Sequence, residues 1–159
     1  MLKYGRPLGL IAVMVGLAGA SGCAPAGGVT INDPWIKATD TSMTAVFGSL
    51  ENAGPIDVSL IGASAEFAGV VEIHEVVDGV MREKSVGVVI PGQGSAELEP
   101  GADHIMLMGL DRELEAGETV TIELEYSDGS TDAVEVLVKN YAGANEEYDP
   151  GHSDTMDMG

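Results

Sequence analysis

His104-Ile105-Met106 places an imidazole and a thioether two residues apart. On a β-strand, residues two apart project from the same face. Two more donors of the same kinds, His74 and Met81, lie upstream in a stretch rich in acidic residues and free of cysteine. Imidazole combined with thioether suits copper(I), a soft and singly charged ion, better than zinc, calcium or magnesium.

The segment that carries His74 and Met81 has its own geometry. Asp78-Gly79 separates two valine-rich runs, a strong signal for a two-residue hairpin loop. Such a loop pairs Val77 with Val80, Val76 with Met81, Glu75 with Arg82 and His74 with Glu83. His74, Val76, Met81 and Glu83 then share one face. Met81 lies diagonal to His74, within reach of a long side chain. Glu75 and Arg82 fall on the other face as an exposed ion pair worth little.

The elements that must position these residues read as short strands. Apolar and β-branched runs at 31–37, 44–50, 58–61, 69–77, 80–90, 95–98, 104–108, 119–126 and 131–138 are separated by turn signals. The 80–90 run has a potential interruption near Ser85 or Gly87. Pro91-Gly92, Pro100-Gly101 and Asp128-Gly129 mark turns. Strand spacing near ten residues, without long helical periodicity, predicts an all-β protein built as a β-sandwich. Within it, Trp35 is expected to anchor the core or else to shield the metal site. Met43 is expected to pack, and Met108 to pack in the core or flank the site.

The flanks differ from this domain. Lys3 and Arg6 precede an apolar and glycine run over 8–20, too short to span a bilayer and patterned as a secretory signal peptide. Ala20-Ser21-Gly22-Cys23 resembles a bacterial lipoprotein cleavage box that makes Cys23, the only cysteine, the lipidated first residue; the alternative is plain secretion with a leftover thiol. The expected organisation is a lipoprotein-type signal over 1–22, a linker over 23–29, a copper-binding domain over 30–140 and a flexible acidic tail over 141–159. That tail carries His152, Asp154, Met156 and Met158, potential ligands for copper(II) or copper(I). The net charge of −19 disfavours nucleic acid, whose phosphates need basic patches.

The chain also resembles a known family. His74, Met81-Arg82, Ile90-Pro91, Leu98-Glu99-Pro100-Gly101 and the block His104-Ile105-Met106-Leu107-Met108-Gly109-Leu110 look like PCuAC, the periplasmic copper chaperones. Trp35, the Val71-Glu72-Ile73-His74 approach and Leu114 to Glu118 fit as well. The resemblance implies a cupredoxin-like, Greek-key sandwich that binds copper(I) at an exposed His/Met site. It implies delivery to the copper-A centre of cytochrome c oxidase, sometimes alongside Sco-type proteins. His74, His104 and Met106 match family ligands. Where the family usually reads Met-Arg-Met, this chain reads Met81-Arg82-Glu83, so Glu83 occupies the position of the fourth ligand. Either Met81 supplies the soft fourth donor, or Glu83 coordinates and makes a harder site that tolerates copper(II) or zinc.

The expected function is therefore that of an extracytoplasmic copper(I) chaperone. It would be a monomer at the outer face of the bacterial cytoplasmic membrane or in the periplasm, held by a lipid anchor. Thioethers bind copper(I) without deprotonation, and a site lacking thiolate holds metal loosely enough to give it up. The alternative is an exported interaction sandwich without a metal role. A blue-copper electron carrier needs a cysteine thiolate, which the domain lacks. An enzyme is not expected, as GxSxG and phosphate-loop motifs are absent from the sequence.

Overall fold

The computed structural model describes residues 28–143 and the backbone of 147–148. Eleven strands follow one another: β1 (Val29–Lys37), β2 (Met43–Asn52), β3 (Val58–Ser64), β4 (Ala68–Val77), β5 (Val80–Glu83), β6 (Val88–Ile90), β7 (Gly94–Leu98), β8 (His104–Leu110), β9 (Thr119–Tyr126), β10 (Thr131–Lys139) and β11 (Glu147–Tyr148). Every strand read from the sequence is present, most of them a few residues longer. The protein is all-β, as expected, and its fold is the cupredoxin-like sandwich. Among the described residues no helix is long and apolar enough to cross a membrane.

The strands hydrogen-bond in the order β11-β5-β4-β8-β2-β1-β10-β9-β3-β6, with β7 alongside β2. β2 divides its length between two partners, Met43 to Val46 facing β8 and Gly48 to Asn52 facing β7. The sheet folds over one core of Val, Leu and Ile side chains with Tyr126. Ile73, Ile105, Leu107 and Val46 come from the β4-β8-β2 half, and Leu60, Ile122, Leu124 and Val136 from the other.

The 80–90 run is two strands in different halves. β5 ends at Glu83, and the Lys84 N–H donates to the Ile73 carbonyl. The chain then crosses to place β6 beside β3, with Val88 opposite Leu60. Gly87 makes this crossing possible. Its φ is +74°, and a Cβ there would sit 2.2 Å from the Leu60 carbonyl oxygen, so only glycine fits.

β1 carries a second irregularity. Its register against β2 shifts between Asn32 and Trp35, where Asp33 has a positive φ of 48° just before Pro34. An extra residue in one strand reverses which face the following side chains occupy. Ile31 and Ile36 thus both join the main core, while Trp35 turns to the opposite face and stacks on Phe47, ring centroids 4.6 Å apart. Of the two expectations for Trp35, an anchor of the main core does not hold, and its place on the other face is the one a shield for the metal site would need. Trp35 belongs to a separate, smaller apolar cluster with Ala45, Phe47, Met81, Met106 and Met108.

Candidate metal centre

The Asp78-Gly79 turn gives the register expected of a two-residue loop. Val77 pairs with Val80, Val76 with Met81, Glu75 with Arg82 and His74 with Glu83. Asp78 and Gly79 both have positive φ, the conformation such a turn requires. Glu75 and Arg82 form the surface ion pair at 2.9 Å.

β8 lies on the other side of β4. His104 is the register partner of His74, and Met106 that of Glu72. The two imidazoles are therefore neighbours on adjacent strands of one sheet, not partners across the sandwich, and their ring centroids are 5.8 Å apart. β8 is buried on both faces from His104 to Leu107. Ile105 and Leu107 enter the main core, while Met106 joins Met81 in the smaller cluster. The exposed site that the resemblance implies is corrected here, because all four donors are nearly inaccessible: His74 0%, His104 2%, Met106 5% and Met81 6% exposed.

Both imidazoles are oriented by hydrogen bonds. His104 Nδ1 lies 2.9 Å from the Ala102 carbonyl oxygen. A carbonyl can only accept, so Nδ1 carries the proton and Nε2 the lone pair. His74 Nε2 lies 2.8 Å from Glu72 Oε2. A carboxylate acceptor there puts the proton on Nε2 and the lone pair on Nδ1. Fixing the tautomer through the second nitrogen is how metal-binding histidines are usually held. The sequence reading missed Glu72 as an orienting group. Its signal was Glu72-Ile73-His74, a carboxylate and an imidazole two apart on one strand face. The start of β8 is fixed by Lys84, whose Nζ donates to Asp103 Oδ2 at 2.7 Å.

A cleft of about 370 Å³ opens onto this face. His104, Met106 and Met81 line it, with Met43, Phe47 and the Pro100-Gly101 turn among its walls. His74 packs edge-on against His104. Glu83 lies across from His74 but is exposed, whereas Met81 is buried beside Met106. Among the described residues no three His, Cys, Asp or Glu side chains converge as a metal-binding group. The soft donors that this face does bring together are the Met81 and Met106 thioethers beside the two imidazoles. The chemistry fits copper(I), which accepts imidazole and thioether together.

The described start of the tail runs along the same side of the protein. Tyr141 meets Trp35 edge-on at 5.1 Å between centroids, Lys37 Nζ donates to the Gly143 carbonyl, and β11 pairs in parallel with β5, Tyr148 opposite Met81. The signal segment, Cys23, His152, Asp154, Met156 and Met158 lie outside the described residues.

The family described as "Putative lipoprotein LpqE-like" matches residues 29–138. A "Putative lipoprotein" of Leifsonia xyli subsp. xyli is 38% identical, the match spanning 93% of this chain and 99% of that protein. Among solved structures, the copper(I) form of DR1885 from Deinococcus radiodurans is 30% identical with a TM-score of 0.56, covering 79% of this chain and 85% of that one. Its apo form is 27% identical with a TM-score of 0.59, covering 89% and 98%. The copper-bound PCuAC domain of PmoF2 has a TM-score of 0.63 over 72% of this chain and 95% of that domain; at 16% identity it is a likeness of fold.

Proposed function

The chain belongs to the LpqE-like family and has the PCuAC-type fold; on that premise we propose that it is a copper(I) chaperone. The proposed ligands are His74, His104, Met81 and Met106. One observation carries the reading: two imidazoles of fixed tautomer meet on adjacent strands, on the sheet face that also carries two buried thioethers. Burial and softness favour Met81 over Glu83 as the fourth donor. The copper(I)-bound state of the Deinococcus relative, 30% identical, supports the same cargo.

Such a protein is a carrier and not an enzyme. Its residues hold copper(I) and release it by ligand exchange to an acceptor, for which the copper-A centre of cytochrome c oxidase or a Sco-type protein is the proposed destination. The lipoprotein descriptions of the family and of the Leifsonia relative support cleavage before Cys23, lipidation there and a membrane-held, extracytoplasmic location. Within the tail, His152, Asp154, Met156 and Met158 would supply a separate capture segment for copper(II) or copper(I).

The test is competition for copper(I) between the purified mature protein and a chromophoric chelator. Wild type takes up one equivalent, and His104→Ala weakens that binding by about tenfold or more, ~1.4 kcal/mol. Wild type that takes no copper(I), or an alanine variant of unchanged affinity, contradicts the proposal.

A further inference from the structure

All four methionines among the described residues, Met43, Met81, Met106 and Met108, lie on the face that carries the histidines. The main core contains none of them, being built from valine, leucine, isoleucine and one tyrosine. If methionine served here as a general gap-filler, it would appear in that core. Two of the four, Met81 and Met106, belong to the proposed copper site. Met43 and Met108 remain without a role.

Their placement is specific. Met43 opens β2 and is the register partner of Met108 on β8. Directly opposed residues of an antiparallel pair hold their Cβ atoms roughly 5 Å apart, so two thioether chains can meet one ion. Met43 is 40% exposed, too open to be filling a core, and it lines the same cleft as Met81, His104 and Met106. Met108 packs against the cluster that holds Met81 and Met106, and it follows Met106 by two residues on the same strand face. Asp40 and Lys37 also line the cleft, one charge of each sign, so the case for this site rests on its sulfurs.

We propose that Met43 and Met108 form a second, two-thioether site that passes copper(I) between the outside and the His/Met centre. The inference rests on the copper(I) reading of that centre. In the inward step the Met106 sulfur adds a lone pair to the ion as the bond to the Met43 sulfur breaks, the Met81 sulfur then replaces the Met108 sulfur in the same way, and release runs the two exchanges in reverse. The ion stays copper(I) throughout, and since thioethers carry no proton, no proton moves. Two neutral sulfurs hold the ion weakly, as a transfer point must.

The experiment compares wild type with Met43→Leu and with Met43→Leu/Met108→Leu, changes that nearly conserve volume; Met43→Leu alone alters only an exposed position. Each protein is loaded with one equivalent of copper(I). Affinity is measured at equilibrium, and the rate of transfer to a bidentate chelator by stopped flow. Transfer from the double variant is expected to slow by about tenfold at nearly unchanged affinity, with Met43→Leu intermediate. In parallel, protein labelled at the methionine methyls is titrated with silver(I). The first equivalent is expected to shift Met81 and Met106, and the second Met43 and Met108. Wild-type rates in both variants, unmoved Met43 and Met108 methyls, or a loss of affinity in step with rate would each overturn the transfer site. Wild type that binds no copper(I) would instead fail the reading of the main centre.

Discussion

Glu72 decides which nitrogen of His74 carries the lone pair. Its carboxylate holds Nε2 at 2.8 Å, and the Ala102 carbonyl does the corresponding work at His104 Nδ1. Removing an orienting partner of this kind typically costs 10–100-fold in metal affinity. Glu72→Ala is therefore expected to weaken copper(I) binding by about that factor, while Glu72→Gln, which keeps an acceptor oxygen, restores most of it; chelator competition measures both. Equal losses for the two variants would show that charge, not orientation, is what Glu72 supplies. The four proposed ligands were legible as residues because their types are unusual together and their strand parity is simple. Glu72 was less legible, since a carboxylate in so acidic a chain attracts no notice until its hydrogen bond is seen.

At the scale of elements, the Asp78-Gly79 hairpin could be read to the residue, because a two-residue loop leaves one register. The bulge of β1 could not. Pro34 inside the run is a local sign of a bulge or an edge, but it does not say which face Trp35 takes, and in the fold that face packs on Phe47 and Tyr141. The split of the 80–90 run was foreseen only as an interruption; that β6 leaves for the other half depends on the close approach of Gly87 to Leu60. The β9–β10 hairpin offers a pH test of the packing. Tyr126 is buried, and burial first, then the charges of Asp132 and Asp128, push its hydroxyl up to about 12 from an ordinary 10.0. The fold thus favours the neutral phenol. That contribution is complete below pH 10 and is lost as pH rises through about 12. Denaturant midpoints are expected to fall from pH 10 to 12 in wild type, and to fall less in Tyr126→Phe. Parallel curves for the two proteins would contradict this.

For the molecule as a whole, the site lies on the face of the sheet that turns away from the main core. The sandwich core can hold the strands in register while the smaller cluster and its cleft serve the metal. Binding to the native state alone must stabilise it. Free copper(I) at about 100 times Kd adds ~2.7 kcal/mol, which raises the Tm of a domain this size by roughly 10 °C; a thermal melt in the presence of reductant reads the shift directly, and an unchanged Tm would favour an interaction sandwich without metal. The central claim, a copper(I) centre of two imidazoles and two thioethers, is tested most directly by X-ray absorption on the copper(I)-loaded protein, comparing wild type with Met81→Ala and Glu83→Ala. Nitrogen and sulfur scatterers are predicted in the first shell, with a sulfur lost in the Met81 variant and the Glu83 variant unchanged. A first shell of nitrogen and oxygen alone, or one altered by Glu83→Ala and untouched by Met81→Ala, would contradict it.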